Sequence, residues 1–198
     1  MKIQNFNAMK KLIKTIFFTI LMAIGQVGMS QSVTSGVYMT FEDYLNGEME
    51  YAINCSEESH RIRPHGTWKG DKFIVVHRGE KFTHDRSEIF GYKGCDGKDW
   101  RVYGKDDYQV AESRSIIIYI KYEEEIDFDA GPIPPTYHFS VNNGNILRLT
   151  KMNLKKAFPD DHDLHDKLDE TFIGEDLTSY DKYHKMYKVN RVLTITGN

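Results

Sequence analysis

The sequence predicts an α+β fold, a mainly antiparallel sheet of about six to eight strands with a short N-terminal helix and C-terminal helices packed on it. Three observations lead to this prediction. Between Glu48 and Leu149, short runs of β-forming residues alternate with turn residues, and no helical period is sustained. Asn-Gly at 143–144 is typical of tight hairpins, which join antiparallel strands. Beyond Leu149, apolar residues recur with helical spacing.

The first 30 residues have the features of a secretory signal peptide. Lysines precede an apolar run from Ile16 to Ile24, and small residues follow it. The run is about ten residues long, whereas about 20 are needed to span a bilayer, so we expect no stable membrane insertion after cleavage. We place the cleavage after Ser30, and translation from Met1 or from Met9 gives the same mature chain.

The mature chain, residues 31–198, has the length of a single domain. Residues 1–30 contain four lysines and no acidic residue, so their removal lowers the formal net charge from −3 to −7. This acidic balance argues against binding nucleic acid or anionic lipid. We expect a soluble periplasmic or extracellular (secreted) protein.

Cys55 and Cys95 are the only two cysteines in the chain. In an oxidising compartment they would form a disulfide, and the alternative is two isolated thiols. Neither cysteine directly follows the apolar run, as a bacterial lipid anchor would require.

The elements follow in order along the mature chain. Thr40 and Asp43 form an approximate capping box, and Gly47 ends a helix over Phe41 to Asn46. The residues from 116 to 120 are apolar on both strand faces, which indicates a central strand. The predicted strands are Tyr51 to Asn54, Lys72 to His77, Ser87 to Tyr92, Trp100 to Tyr103, Tyr108 to Glu112, Ile116 to Tyr122, Thr136 to Val141 and Ile146 to Leu149.

Three helices are predicted beyond the strands. Thr150 caps the first, and Pro159 separates it from a second that begins near Asp161. A last helix follows Gly174 and carries three tyrosines at helical spacing. We expect those tyrosines to pack on the sheet, with a sugar-binding platform as the alternative; they are Tyr180, Tyr183 and Tyr187.

The segment AFPDDHDLHDKLDETF, residues 157–172, allows two interpretations. His162, His165 and Asp166 are spaced three and four residues apart, so one helix face could offer them to a metal ion. Alternatively, the aspartates near Pro159 cap the helix and meet its dipole. We favour the helix start, with Leu164, Leu168 and Phe172 buried and with His162 and Asp166 in solvent.

Two other segments suggest chemistry. EEEIDFDAG, residues 123–131, has alternating Asp127 and Asp129 but lacks the remaining ligands of a calcium loop, which favours a solvated loop. His84 and Asp85 could be half of an acid–base pair in a turn-rich segment. The sequence has no G-x-S-x-G, P-loop or H-E-x-x-H motif, so we expect no cofactor and assign no catalytic residue.

Three segments, GVYMTFEDYLNG (36–47), IFGYKG (89–94) and LTKMNLKKAFPD (149–160), resemble small uncharacterised exported proteins of the Bacteroidota. The resemblance runs over most of the mature chain. It implies export and a shared fold, and it carries no activity and no catalytic residues.

We therefore expect a non-enzymatic binding or interaction module of the cell envelope, with an envelope protein or a small ligand as its partner. The alternatives are a hydrolase whose site is assembled from sequence-remote residues and a metal-binding protein that uses His162, His165 and Asp166. An interaction module should expose an aromatic patch, whereas an enzyme should have a pocket where titratable groups converge.

Overall fold

The computed structural model describes residues 33–66, 70–122, 126–127 and 131–196. The strands, in chain order, are β1 (Thr34–Tyr38), β2 (Glu50–Asn54), β3 (Arg61–Arg63), β4 (Lys72–His77), β5 (Glu80–Asp85), β6 (Gly91–Lys93), β7 (Asp99–Tyr103), β8 (Asp106–Ser113), β9 (Ile117–Lys121), β10 (Ile126–Asp127), β11 (Gly131–Pro132), β12 (Thr136–Ser140), β13 (Leu147–Arg148), β14 (Tyr180–Asp181) and β15 (Met186–Tyr187). The helices are α1 (Phe41–Asn46), α2 (Lys151–Ala157), α3 (His162–Thr171) and α4 (Lys188–Thr196).

The main sheet has eight strands in the order β13-β12-β9-β8-β7-β6-β1-β2, and its neighbouring strands pair antiparallel. A smaller sheet has the order β3-β4-β5. The predicted α+β class with a mainly antiparallel sheet is therefore confirmed. The apolar run at 116–120 lies in and beside β9, an interior strand, and Ile116 to Tyr119 are buried on both faces.

Some local predictions were confirmed. The capping box of Thr40 and Asp43 is present, and α1 has the predicted bounds. Thr150 caps α2 as expected.

Other strands were missed or displaced. The predictions did not include β1, β3 or β5, and Ser87 to Tyr92 is split between a 3-10 turn at Arg86–Glu88 and the short β6. The β4–β5 turn explains the loss of β5: Arg78 and Gly79 both have positive φ, 51° and 85°. A tight hairpin needs that geometry, and an arginine at its first position hides the usual Asn-Gly pattern.

The predicted last helix is wrong. The segment that carries the three tyrosines forms an antiparallel hairpin of β14 and β15, and α4 begins only at Lys188. The tyrosine spacing fits a helix equally well. However, the side chain of Asp181 accepts the backbone N–H groups of Tyr183 and His184 and so stabilises a loop instead.

The two faces of the main sheet differ in what covers them. On the face we call the helix face, Ile118 and Phe139 pack under the C-terminal helices, while Val37 and Val102 pack against β4 of the smaller sheet. The opposite face, here the tyrosine face, buries Tyr108, Ile117 and Tyr119, and α1 contributes side chains to this cluster.

Cys55 and Cys95 form a disulfide, with Cα atoms 5.7 Å apart. The bond joins the chain just after β2 to the chain just after β6, which lie on either side of β1. Among the described residues, no helix is both long enough and apolar enough to cross a membrane.

Candidate functional site

The helix-start interpretation of residues 157–172 is confirmed by burial. Asp161 precedes α3, and its carboxylate accepts the backbone N–H of Leu164 at 2.8 Å. Leu164 and Leu168 are fully buried and Phe172 is nearly so, whereas His162 and Asp166 are exposed. The aspartate therefore caps the helix, and the apolar stripe faces the core.

His165 is held by backbone carbonyl groups. Its Nε2 lies 2.8 Å from the carbonyl oxygen of Phe158 and 3.2 Å from that of Lys155. Because a carbonyl oxygen only accepts, Nε2 carries the hydrogen and donates, which leaves this nitrogen unable to bind a metal. Within the described ranges, no three or more histidine, cysteine or acidic side chains are arranged to hold a metal ion.

His84 and Asp85 do not act on each other. As successive residues of β5 they point to opposite faces, and the Tyr51 hydroxyl lies 2.9 Å from Nε2 of His84. The Asp85 carboxylate instead pairs with Lys72, 2.5 Å from Nζ. The calcium-loop hypothesis falls on residues 123–131, whose side chains lie outside the described residues.

Ser35 and His60 form a contact that bears on the hydrolase alternative. The Ser35 hydroxyl oxygen lies 2.6 Å from His60 Nε2 and 2.6 Å from the Lys93 carbonyl oxygen. The carbonyl takes the single hydroxyl hydrogen, so His60 Nε2–H donates to Ser35. In a nucleophile–base pair the histidine must accept that hydrogen. Ser35 is also 1% exposed, so this contact has the polarity and burial of a structural hydrogen bond.

An aromatic surface is presented by residues 180–187, which we call the tyrosine hairpin. Tyr183 is 89% exposed and Tyr180 is 49% exposed, so the expected packing of these two side chains in the core is wrong. Tyr187 is partly buried, and its ring lies 5.5 Å from that of Tyr180 and 6.2 Å from that of Tyr137. The Tyr183 ring instead contacts the ring of His184, with ring centres 4.9 Å apart.

Asp181 holds the tyrosine hairpin in shape. Its carboxylate accepts from the backbone and ring of His184, at 3.0 and 2.8 Å, and from Arg191 at 2.7 Å. These hydrogen bonds, chiefly those from His184, hold the pKa of Asp181 far below its usual range. On the second strand, the Tyr187 N–H donates to the carboxylate of Glu112 at 3.0 Å.

A cleft of about 490 Å³ lies on the tyrosine face, between the start of α1 and the turn after β12. We call it the Arg101 cleft. Phe41, Phe90 and Tyr103 line it, with Glu42 and Asn143 also on its walls. A volume of this order is in the range of small-molecule sites, about 300 to 1,000 Å³.

Arg101 is nearly buried at 9% exposure, and its charge has no carboxylate partner among the described residues. Nη1 donates to the Phe90 carbonyl at 2.8 Å, and Nη2 donates to Oδ1 of Asn143 at 2.9 Å. The guanidinium carbon lies 3.7 Å from the centre of the Phe90 ring. Burial lowers the pKa of Arg101 from its ordinary value.

Arg86 provides the contrast, because it is also buried and reaches the same cleft. It donates to the carbonyls of Pro64, Gly104 and Asp106, and it pairs with the Asp107 carboxylate at 2.9 Å. Its charge is therefore neutralised within the fold. Arg101 has no such carboxylate partner among the described residues.

Comparison with known proteins found no matching family model, no matching curated protein and no matching solved structure. The resemblance to exported proteins of the Bacteroidota therefore stays a prediction.

Proposed function

We propose that this protein is a non-enzymatic interaction module of the cell envelope and that it binds a partner protein through the tyrosine hairpin. The observation that carries the proposal is Tyr183, 89% exposed at the end of a hairpin that Asp181 holds in shape. Tyrosine offers a large amphipathic contact area at a low entropic cost, and it is enriched among the residues that dominate binding energy. A hairpin that is already ordered loses little further entropy on binding.

Charge near the hairpin indicates the kind of partner. Lys182 and Lys185 are exposed and lie on either side of Tyr183 and His184, within a mature chain (residues 31–198) whose formal net charge is −7. A surface with an apolar pocket for the Tyr183 ring and acidic side chains around that pocket would complement both features. We therefore propose an envelope protein with an acidic binding face as the partner.

One structural detail supports binding over the hydrolase alternative. The Ser35–His60 hydrogen bond runs in the direction opposite to that of a nucleophile and its base. This contact does not involve the tyrosine hairpin, which carries the proposal by itself.

Site-specific photocrosslinking in the native host tests the proposal. p-Benzoylphenylalanine at position 183 should crosslink to one defined envelope protein. The matched control is the same residue at position 122, because Tyr122 is 53% exposed and lies outside the hairpin. Lys182→Glu with Lys185→Glu should greatly reduce the crosslink. The proposal fails if both positions capture the same proteins, if the charge reversal has no effect, or if only polysaccharide is captured.

Location in the envelope is tested separately. Intact-mass measurement of the exported protein should show a chain that starts at Gln31. A mature protein that retains residues 16–24 would contradict export of a soluble chain.

A further inference from the structure

We propose that the Arg101 cleft binds the carboxylate group of a small organic acid with an aromatic or other apolar body. This inference does not rest on the proposed interaction through the tyrosine hairpin. It assigns a second binding site, which lies on the tyrosine face of the main sheet. The tyrosine hairpin is attached on the other face, the helix face.

The charge of Arg101 has no counter-ion among the described residues. Burying an ion is costly unless a counter-ion or a metal compensates it, so buried charges in folded proteins are normally paired. Arg86 obeys this rule through Asp107, whereas the partners of Arg101 within the described residues are a carbonyl, an amide oxygen and the rings of Phe90 and Tyr103. These groups hold the guanidinium in place without neutralising it. An anionic ligand would supply the missing charge.

Arg101 also has N–H donors that no described residue accepts. A guanidinium carries five N–H groups and accepts no hydrogen bond. The bonds to Phe90 and Asn143 use two of them, which leaves three without an acceptor among the described residues. Because Arg101 lines the cleft, an acceptor that enters the cleft can approach it. A planar carboxylate matches the planar arrangement of these donors.

Aromatic side chains form part of the walls of the Arg101 cleft. Phe41 and Phe90 pack together with ring centres 5.4 Å apart, and Tyr103 also lines the cleft, with its ring centre 5.9 Å from the Arg101 guanidinium carbon. Tyr103 is fixed because its hydroxyl donates to Asn145 at 2.9 Å. These rings favour a flat apolar body over a small hydrated anion. Glu42, exposed on the wall, disfavours any ligand with more than one negative charge.

Titrations followed by NMR test the inference with three probes. Benzoate should bind wild-type mature protein and shift the backbone amides of Arg101, Tyr103 and Asn143. Benzamide, its neutral analogue, should bind at least about tenfold more weakly, because it lacks the negative charge and the second acceptor oxygen of the carboxylate. Inorganic phosphate should also bind more weakly than benzoate, because it gains nothing from the aromatic walls.

Variants connect the binding to named residues. Arg101→Lys keeps the charge and loses the planar donors, so benzoate affinity should fall by about tenfold. Glu42→Gln removes a repulsive charge from an exposed position, so benzoate affinity should rise by about threefold at low salt. Glu48→Gln is the matched control, because Glu48 is exposed just beyond α1 and does not line the cleft. It should leave the affinity unchanged.

The Glu42→Gln variant keeps the test decisive even if Arg101→Lys does not fold. The inference is overturned if benzoate and benzamide bind equally, if phosphate binds as tightly as benzoate, or if folded wild-type protein shows no amide shifts in the cleft. Equal effects of Glu42→Gln and Glu48→Gln would also overturn it. None of these outcomes changes the result of crosslinking at position 183.

Discussion

Asn190 fastens α4 to the main sheet, and its replacement by leucine should destabilise the fold severely. The side chain is fully buried. Its Oδ1 accepts the N–H of Ile116 at 3.0 Å, and its Nδ2 donates to Oε1 of Glu112 at 2.6 Å and to the Ile116 carbonyl at 3.2 Å. Since Glu112 also accepts from Tyr187, the same network positions the tyrosine hairpin.

The expected magnitude follows from the groups that Asn190→Leu would leave unpaired. The Ile116 N–H loses its acceptor in a fully buried position, which costs about 1 to 3 kcal/mol. The bond to the Glu112 carboxylate contributes about 1.5 to 3 kcal/mol more, because it involves a charged group. The Ile116 carbonyl keeps the N–H of Arg114 at 3.2 Å. We therefore expect the free energy of unfolding to fall by about 2.5 to 6 kcal/mol.

Equilibrium unfolding in urea, followed by tryptophan fluorescence, measures this loss. Asn153→Leu is the matched control, because that side chain donates one exposed hydrogen bond to the Arg148 carbonyl and should cost no more than about 1 kcal/mol. A double-mutant cycle with Glu112→Gln should show coupling of about 0.5 to 3 kcal/mol. A loss below about 1 kcal/mol for Asn190→Leu, or no coupling to Glu112, would refute the reasoning.

Three further predictions concern stability. Leu168→Ala should lower the free energy of unfolding by about 2 to 5 kcal/mol, because it leaves a cavity. The double variant His162→Ala with Asp166→Ala should lower it by under about 1 kcal/mol and leave the metal content unchanged. A stoichiometric metal that vanishes in the double variant would contradict this. Replacing both cysteines by serine should lower the free energy of unfolding by up to about 4 kcal/mol, since the disulfide spans 40 residues. Thiol labelling of denatured, unreduced wild type should find no free thiol. The pKa of Asp181 is lowered in the fold, so its carboxylate stabilises the folded state above the pKa of the unfolded chain, and this stabilisation is lost as pH falls below about 4. The urea midpoint of Asp181→Asn should therefore fall less between about pH 5 and pH 2 than the midpoint of wild type. Parallel curves of midpoint against pH would show that Asp181 does not stabilise the hairpin.

Local patterns predicted the elements whose stability is local. Thr40 with Asp43 and Asp161 with Leu164 are contacts between residues three apart, so the sequence is enough to place α1 and α3. The disulfide could be proposed only as one of two alternatives, because its geometry depends on how β1, β2 and β6 pair.

Long-range contacts account for what sequence reasoning missed. Arg101 lies in a predicted strand, and no local pattern around it indicates a binding site. Its contact with Asn143 spans 42 residues. Asn190 bonds Ile116 across 74 residues, and this bond holds α4, which begins only after the tyrosine-bearing segment that was predicted to be helical. The tyrosine hairpin carries no Asn-Gly pattern, and its loop depends on Lys185 in the left-handed region at φ 52°.

The pairing register also determines how the two proposed sites relate to each other. Glu112 pairs across from Ile118 and therefore lies on the helix face, whereas Arg101 pairs across from Tyr108 and lies on the tyrosine face. The tyrosine hairpin is attached through Glu112, and the Arg101 cleft shares no lining residue with it. Effects at separate sites without shared partners normally add. Saturating benzoate should therefore leave crosslinking at position 183 unchanged; a changed yield with wild-type protein, absent in Arg101→Lys, would show that the sheet couples the two faces.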